Sequence, residues 1–259
     1  MNLSEPGKGG EPGKLHLIVF SRAPVAGATK TRLTPPLSPE AARDIHVACL
    51  NDVLGTVREW RGTRHRVHPH LFITPPASQP AFRAAGVRWP EDFALHNQRG
   101  DTLGERMAQA MTKVMGPGDA VLLIGSDLPL LTPDHLDEAA RALKEADTVF
   151  ALTPDGGYWL VGTRKEPAPL FAVGGWGGDS VLERSLAAAK KAGHSVSHGP
   201  ELQDLDTLAD IHAVLAHPAQ SSIGPTPQSP ASNIPEPNTP ETREALPLLL
   251  RLKEQGMLG

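Results

Sequence analysis

The 259-residue sequence has one cysteine, no long apolar run and no excess of positive charge, and each lack excludes a class of protein. The single cysteine, Cys49, rules out an internal disulfide framework and a thiolate zinc cluster, and it best fits a reducing cytoplasm. No stretch approaches the ~18 to 20 consecutive apolar residues that span a bilayer, so no membrane span is expected. With 25 Lys and Arg against 29 Asp and Glu, nucleic acid is not an expected partner.

Composition divides the chain into one domain with two tails. Residues 1–13 mix Gly and Pro with charges and have no apolar core, which predicts a disordered leader rather than a signal peptide. Residues 217–243 place prolines among Ser, Thr, Asn and Gln, which is typical of a linker. Residues 244–259 carry enough leucine for a short helix that docks on the body or on a partner. The remaining residues, 14–216, are long enough for one domain.

Short apolar runs alternate with longer helical patterns, which predicts an α/β fold around a mostly parallel sheet. The apolar runs predict strands at 15–20, 69–74, 120–124, 148–152, 158–162 and 195–198. The 3.6-residue periodicity predicts helices at 39–60, 103–115, 133–144 and 180–192. Ligands of open α/β sheets bind at the carboxyl ends of strands, so the residues that follow each strand are the first candidates for a site.

A basic loop follows the first predicted strand. Pro24 and Gly27 favour an irregular loop, and Arg22, Lys30 and Arg32 bring three cations to the strand end. Guanidinium groups, an ammonium and backbone N–H groups suit the oxygens of a diphosphate. The loop matches neither the Walker A pattern nor G-x-G-x-x-G. The alternative is a solvated basic loop without a ligand.

An aspartate follows the predicted strand at 120–124. A carboxylate at the end of a buried strand is unfavourable unless it is paired or binds a cation, so Asp127 is a candidate ligand for Mg²⁺ or Mn²⁺. One carboxylate does not hold such an ion alone, and the usual solution adds a second carboxylate and the oxygens of a diphosphate. The alternative is that Asp127 caps a turn before Pro129.

Two more aspartates follow the last predicted strand. Asp204 and Asp206 would point to the same side of an extended segment, since side chains two apart share a face. Asp206 is therefore a candidate second carboxylate. The alternative is that it caps the following helix together with Asp210.

A glycine-rich pair of segments provides candidates for the acceptor side. Gly156 and Gly157 permit close approach of the backbone to a ligand, and Trp176, which lies among four glycines, is placed to stack on a sugar or base. Asp155 and Asp179 are candidates for orienting an acceptor hydroxyl or accepting its proton. A structural role is open for each, because Asp179 also suits the N-cap of the next helix.

Six motifs in one order resemble those of a known family. They are F-S-R-A-P-x-x-G-x-x-K-T-R-L at 20–33, G-D-x-L-G-E-R-M at 100–107, G-S-D-L-P at 125–129, D-G-G-Y-W-L-x-G at 155–162, W-x-x-D-S-V-L at 176–182 and D-x-D-T at 204–207. Together they resemble the bacterial GT-A-like transferases of the arsenosugar-biosynthesis or nucleotide-diphospho-sugar glycosyltransferase type. That family is similar in fold to molybdenum-cofactor guanylyltransferases.

The resemblance implies a single GT-A domain, which is a Rossmann-like, mostly parallel sheet flanked by helices. It implies that the phosphates of a nucleotide contact the first loop and the motif at 100–107, through Arg22, Gly27, Lys30, Arg32, Gly104 and Arg106. It further implies that Asp127 and Asp206 hold Mg²⁺ or Mn²⁺. Where GT-A enzymes usually show D-x-D, this chain has Ser126-Asp127-Leu128, with one aspartate at that place.

The leading hypothesis is a metal-dependent glycosyltransferase with a nucleotide-sugar donor and a small-molecule acceptor. Asp127 would act with the metal, and Asp155 or Asp179 would be the base. One alternative is a nucleotidyltransferase of the guanylyl or cytidylyl type, which acts on a phosphorylated small molecule and releases pyrophosphate. Another is a nucleotide-binding regulatory protein without turnover.

Overall fold

The computed structural model describes residues 13–63, 67–74, 79–172, 180–217 and 243–258. Within these ranges seven strands form one mixed sheet in the order β3-β2-β1-β4-β6-β5-β7. The strands are β1 (Leu15–Ser21), β2 (Val67–Ile73), β3 (Ala94–Asn97), β4 (Ala120–Gly125), β5 (Thr148–Leu152), β6 (Tyr158–Thr163) and β7 (Val196–His198). β6 runs antiparallel to both of its neighbours, and the other pairs are parallel. The predicted α/β fold with a mostly parallel sheet is confirmed.

Helices cover both faces of the sheet. They are α1 (Pro39–Thr63), α2 (Gln79–Ala84), α3 (Leu103–Val114), α4 (Pro133–Glu145), α5 (Ala168–Phe171), α6 (Val181–Lys191), α7 (Leu208–Ala216) and α8 (Ala245–Glu254). Side chains of α1, α4, α7 and α8 share one apolar core with one face of the sheet, and side chains of α3, α5 and α6 share a second core with the other. None of the helices in the described ranges combines the length and apolarity that a membrane crossing needs.

The alternation of β1 explains why the two cores exist. Leu17 and Val19 point into the first core and Ile18 into the second, because successive side chains of a strand point to opposite faces. All three are fully buried, as expected for a central strand that is covered on both sides. This burial accounts for the continuous apolar run that made β1 visible in the sequence.

Among the strands and α-helices of the described residues, three short elements lie outside the predicted set: β3, α2 and α5. β3 is a four-residue edge strand with three exposed residues, so it has neither an apolar run nor a clear alternation. α2 and α5 have six and four residues, too few to show a helical period. Residues 1–12 of the predicted leader (1–13), residues 218–242 of the predicted linker (217–243) and the glycine-rich segment with Trp176 and Asp179 lie outside the described residues.

The order of the strands places a crevice beside β1. The chain continues from β1 to β2 and β3 on one side, and β4 then pairs with β1 on the other side. β1 and β4 are parallel from Leu15 opposite Ala120 to Phe20 opposite Gly125, so their carboxyl ends lie together. A reversal of strand order of this kind opens a crevice outside the carboxyl ends of the strands.

The C-terminal helix α8 packs on α1. Its Leu246, Leu249 and Leu252 are buried in the first core. Asp52 of α1 lies at the start of α8 and accepts hydrogen bonds from the backbone N–H groups of Glu244 (2.7 Å) and Ala245 (3.0 Å). These bonds satisfy N–H groups that have no partner within a helix at its first turn. The leucine-rich tail is therefore joined to the body by apolar packing and by a buried carboxylate.

Asp52 is expected to make stability depend on pH. Burial raises its pKa to about 6; the two N–H bonds and Arg243 oppose this shift, and Glu244 adds to it. Since the folded-state pKa exceeds the ordinary value of 3.8, the contribution of Asp52 is fully present below pH 4 and is lost as the pH rises through 6. The unfolding free energy of the wild type exceeds or falls short of that of Asp52→Asn by an amount that depends on pH. This difference, wild type minus variant, should therefore decrease by roughly 2 to 3 kcal/mol between pH 4 and 7. Denaturant unfolding at both pH values measures this, and a difference that stays constant or grows would contradict it.

Candidate functional site

A cavity of about 410 Å³ opens at the carboxyl ends of β1 and β4. This volume lies within the range of small-molecule sites, roughly 300 to 1,000 Å³. Its walls bring together distant parts of the chain, including the first loop, α1, the ends of β2 and β4, and the segment before α7. The polar residues of the wall include Arg22, Lys30, Arg32, His46, Gln98, Arg106, Asp127, Asp204 and Asp206.

The first loop, residues 22–33, ends in a short 3-10 helix (Thr31–Leu33) and is held by bonds within itself. Thr29 Oγ1 donates to the carbonyl of Ala23 (2.9 Å), and the backbone N–H of Ala28 donates to the carbonyl of Val25 (3.1 Å). Gly27 takes a φ of +77°, which other residues rarely adopt, at the exposed turn of the loop. The closed loop leaves the guanidinium groups of Arg22 and Arg32 exposed at the cavity.

Lys30 differs from the two arginines because its side chain is buried. Only 2% of the side chain is exposed, and its backbone has a left-handed φ of 54°. The Nζ atom lies 2.9 Å from Asp127 Oδ1 and 3.0 Å from Asp206 Oδ1, and it also donates to the carbonyl of Leu205. An ammonium has three protons to donate, and these three acceptors match them.

Asp127 follows β4, and its carboxylate contacts two side chains of the site. Its Oδ1 atom contacts both Lys30 Nζ and, at 3.3 Å, Nδ1 of His46. Burial alone would raise the pKa of Asp127, but the Lys30 ammonium and the His46 hydrogen bond outweigh it and hold the pKa well below its ordinary value. The carboxylate is therefore ionised at neutral pH, and about a third of the side chain faces the cavity.

The segment before α7 reaches the site through a backbone bond. The N–H of Leu205 donates to the carbonyl of Asp127 (2.9 Å), which fixes this segment beside the end of β4. Thr207 is the N-cap of α7, and its side chain and that of Asp210 form a reciprocal capping box. Because Thr207 takes the capping role, the alternative reading of Asp206 as N-cap is wrong, and its carboxylate contacts Lys30.

Asp204 lies in the cavity wall, half-buried, two residues before Asp206. Burial and the neighbouring carboxylates of Asp206, Asp155 and Asp210 raise the pKa of Asp204 to about 7, and Lys30 partly offsets them. The carboxylate end of the cavity therefore carries less negative charge at neutral pH than its residue count suggests.

His46 is a site residue that the sequence reasoning missed. It is buried in α1, and its Nε2 atom lies 3.2 Å from the carbonyl of Arg22 while Nδ1 faces Asp127. It therefore connects the first loop to the carboxylate. In the sequence it lies between Ile45 and Val47 in a helical apolar pattern, and a core histidine would give the same signal.

The structure brings six of the predicted site residues to the cavity. These are Arg22, Lys30, Arg32, Arg106, Asp127 and Asp206. Arg106 is half-buried, and its Nε atom donates to the carbonyl of Gly100 (2.9 Å). The glycines of the predicted nucleotide and acceptor sites, Gly27, Gly104, Gly156 and Gly157, lie outside the cavity wall.

Asp155 lies in the turn between β5 and β6, outside the cavity wall. Its Oδ1 atom accepts hydrogen bonds from Thr153 Oγ1 (2.5 Å) and from the N–H of Gly157 (3.1 Å). These bonds close the turn, where Gly156 has a φ of +84°. The structural role left open for Asp155 is present, and its catalytic role stays a prediction.

The residues present fit a divalent cation only in part. Asp127 and Asp206 already share one cation, the Lys30 ammonium, which shows that both carboxylates face a common point. Across the ranges that the structure describes, no group of three or more His, Cys, Asp or Glu is arranged to hold a metal. A metal held here would therefore take its remaining ligands from a bound molecule or from water, as Mg²⁺ commonly does.

Comparisons with known sequences identify one partial match. A family described as "Uncharacterized protein conserved in bacteria (DUF2064)" matches residues 58–178, which is less than half of the chain. The matched part includes Asp127 but neither the first loop nor Asp206. No curated protein matches the sequence.

Solved structures share the fold. One is a protein from Desulfovibrio desulfuricans G20 that is provisionally named a nucleotide-diphospho-sugar transferase. The alignment covers 93% of this chain and 96% of that protein, with 23% sequence identity and a TM-score of 0.75. The 4-diphosphocytidyl-2C-methyl-D-erythritol synthase of Anaerococcus prevotii DSM 20548 is 13% identical with a TM-score of 0.50, over 80% and 98%. Rv0371c of Mycobacterium tuberculosis H37Rv, crystallised with manganese, is 17% identical over 79% of this chain and 99% of its own, and its TM-score of 0.46 does not establish a shared fold.

Removal of Asp127 is expected to destabilise the protein more than removal of Asp206. Asp127→Asn leaves the buried Lys30 with one carboxylate and weakens the contact with His46, which should lower the unfolding free energy by about 1 to 3 kcal/mol. Asp206→Asn should have a smaller effect, because 48% of that side chain is exposed and the Lys30–Asp127 contact persists. Denaturant unfolding at pH 7 compares the two variants.

A double variant tests whether this loss comes from the contact with Lys30. Lys30→Met with Asp127→Asn should be more stable than the sum of the two single effects predicts, since the contact is removed only once. Additive effects, or equal losses for Asp127→Asn and Asp206→Asn, would contradict the described arrangement.

Proposed function

We propose that the protein is a metal-dependent glycosyltransferase that moves a sugar from a nucleotide-diphospho-sugar to a hydroxyl of a small acceptor. One observation carries the proposal: a single cavity is lined by a carboxylate pair around a buried cation and by two exposed arginines. Such a cavity suits a ligand that has anionic oxygens beside a neutral polar part.

The charges of the cavity favour a diphosphate as the anionic part. Lys30 is engaged by Asp127 and Asp206, so Arg22 and Arg32 are the first-loop cations exposed to a ligand. The two phosphates of a nucleotide sugar carry one negative charge each, which two guanidinium groups can pair in a forked geometry. A triphosphate together with a phosphorylated acceptor would bring more negative charge than these two groups balance.

Asp127 and Asp206 are the residues that would hold Mg²⁺ or Mn²⁺. The ion would supply positive charge at the departing nucleoside diphosphate. The ionised state of Asp127, which Lys30 and His46 maintain, agrees with this role because a metal ligand must be deprotonated.

In the proposed reaction the oxygen of the acceptor hydroxyl forms a bond to the anomeric carbon of the sugar. The bond from that carbon to the diphosphate oxygen breaks, and its electron pair leaves with the diphosphate. Arg22 and Arg32 would stabilise the charge that develops there. The acceptor proton would pass to Asp155 or Asp179, and the two glycine-rich segments, one with Gly156 and Gly157 and one with Trp176, would position the acceptor.

A second candidate is nucleotidyl transfer, in which an acceptor phosphate attacks a nucleoside triphosphate and pyrophosphate leaves. The half-buried Arg106 favours it, because a third guanidinium in the cavity adds to the charge available for a triphosphate. The A. prevotii synthase, which shares the fold, is named for diphosphocytidyl chemistry. The provisional name of the D. desulfuricans protein, with a TM-score of 0.75, agrees with the sugar-nucleotide reading.

The two reactions differ in their released products. We expect a panel of nucleotide sugars with Mg²⁺ or Mn²⁺ to include one from which the protein releases a nucleoside diphosphate and transfers or hydrolyses the sugar. Nucleoside triphosphates should release no pyrophosphate across a matched panel of phosphorylated acceptors. Pyrophosphate release that requires Asp127 would establish the second candidate, and binding without release in either panel would contradict both.

The exposed arginines should determine the affinity for a diphosphate. Arg22→Ala and Arg32→Ala should each weaken nucleoside diphosphate binding by roughly 10-fold, because each removes charge-assisted hydrogen bonds to phosphate. Arg141→Ala is a matched control, since Arg141 is an exposed residue of α4 outside the cavity wall. Calorimetric titration in the presence of Mg²⁺ measures the change, and equal affinity in all three variants would place the diphosphate elsewhere.

A further inference from the structure

The Lys30 ammonium lies where a divalent cation would have to bind. It contacts Oδ1 of both Asp127 and Asp206, the two carboxylates that the site offers to a metal. The side chain is 2% exposed, and its third proton is donated to the carbonyl of Leu205. The carboxylate pair therefore has a resident cation that belongs to the chain itself.

A metal and this ammonium are expected to exclude each other. A divalent ion on the same two oxygens would lie within a few ångströms of Nζ, where the two positive charges repel each other. The two carboxylates carry two negative charges, which balance one divalent ion but not a divalent ion and an ammonium together. Metal binding therefore requires Lys30 to leave the pair or to find another anion.

We propose that Lys30 is a displaceable counter-ion that competes with the divalent cation for Asp127 and Asp206. The metal then binds tightly only when a diphosphate replaces the two carboxylates as the partner of the Lys30 ammonium. This inference rests on the proposed function for the identity of the diphosphate. The competition itself rests only on the contacts of Lys30 in the described structure.

The position of Lys30 allows such an exchange. Its backbone belongs to the first loop, which also carries Arg22 and Arg32, and all three residues line the same cavity. A diphosphate paired with the two arginines would therefore occupy the same cavity as the lysine side chain. Its oxygens would replace the carboxylates as partners of Nζ and would supply ligands to the metal.

The exchange makes the two ligands bind cooperatively. A diphosphate that removes Lys30 from the pair raises the affinity for the metal, and linkage requires the metal to raise the affinity for the diphosphate by the same factor. The expected behaviour is weak binding of either ligand alone and tight binding of both together.

The test measures Mn²⁺ binding without any nucleotide, from the loss of the free Mn²⁺ signal in electron paramagnetic resonance. Lys30→Met should bind Mn²⁺ at least 10-fold more tightly than wild type. Lys30→Arg keeps a cation and should bind as weakly as wild type. Arg32→Met removes an equal charge that does not contact the carboxylates, so it should gain less than 3-fold.

Three results would overturn the competition. They are unchanged Mn²⁺ affinity in Lys30→Met, an equal gain in Arg32→Met, and a gain in Lys30→Met that persists after Asp127→Asn is added. Circular dichroism and thermal unfolding show whether each variant is folded. If Lys30→Met does not fold, the test is made on the wild-type protein. Binding of GDP, UDP and CDP is measured, together with the effect of each on the affinity for Mn²⁺, after correction for the Mn²⁺ that the nucleotide itself chelates. Failure of all three to tighten Mn²⁺ binding overturns the proposal.

The same measurements separate this inference from the proposed function. Tighter Mn²⁺ binding by Lys30→Met, with no diphosphate bound by any variant, would uphold the competition and contradict the transferase. Diphosphate and Mn²⁺ binding by wild type, with unchanged Mn²⁺ affinity in Lys30→Met, would leave the transferase standing and overturn the competition.

Discussion

The site depends on one buried ammonium. Lys30 Nζ lies within 3.0 Å of two carboxylates that come from different parts of the chain, one after β4 and one before α7. A buried lysine is strongly unfavourable without such partners. Burial alone would lower its pKa, but Asp127 and Asp206 outweigh burial and raise the pKa above its ordinary value. The mutual stabilisation of these three charges fixes the relative positions of the first loop, the end of β4 and the segment before α7.

The sheet supplies the frame for this contact. Parallel pairing of β1 with β4 brings the first loop and Asp127 to one edge, and the Leu205–Asp127 backbone bond adds the third segment. His46 of α1 then contacts both Asp127 and the carbonyl of Arg22. Each of these contacts joins residues that are distant in sequence, so the site forms only after the sheet and α1 have assembled. The exposed arginines lie outside this network, which leaves them available to a ligand.

Much of the fold could be predicted from the sequence because its signals are local. The apolar runs of β1 and β4 reflect burial on both faces, and the periodicity of α4 reflects a helix with one buried face. The position of Asp127 after a buried strand was equally visible. The edge strand β3 was not, because its four residues are largely exposed and have no pattern that burial would impose.

The electrostatics of the site could not be predicted in the same way. The loop sequence predicts that Lys30 is a phosphate ligand like its arginine neighbours. In the fold, its ammonium instead donates a hydrogen bond to Asp206, which lies 176 positions away in the sequence. The capping role that was the alternative for Asp206 falls to Thr207, since the choice between adjacent residues depends on the direction in which the segment enters α7. His46 gives no local signal because its role comes from strands and loops that pack on α1. Contacts between charged residues that are distant in sequence can be predicted only once the fold is known.

The central claim is that Lys30 holds the carboxylate pair until a metal and a diphosphate replace it. The most direct measurement is a pair of crystal structures, one of the free protein and one with Mn²⁺ and a nucleoside diphosphate that binds. The account predicts Lys30 Nζ between Asp127 and Asp206 in the first structure. In the second it predicts Mn²⁺ on those carboxylates and Lys30 on a phosphate oxygen. A complex in which Lys30 keeps both carboxylates while the metal binds elsewhere would contradict it.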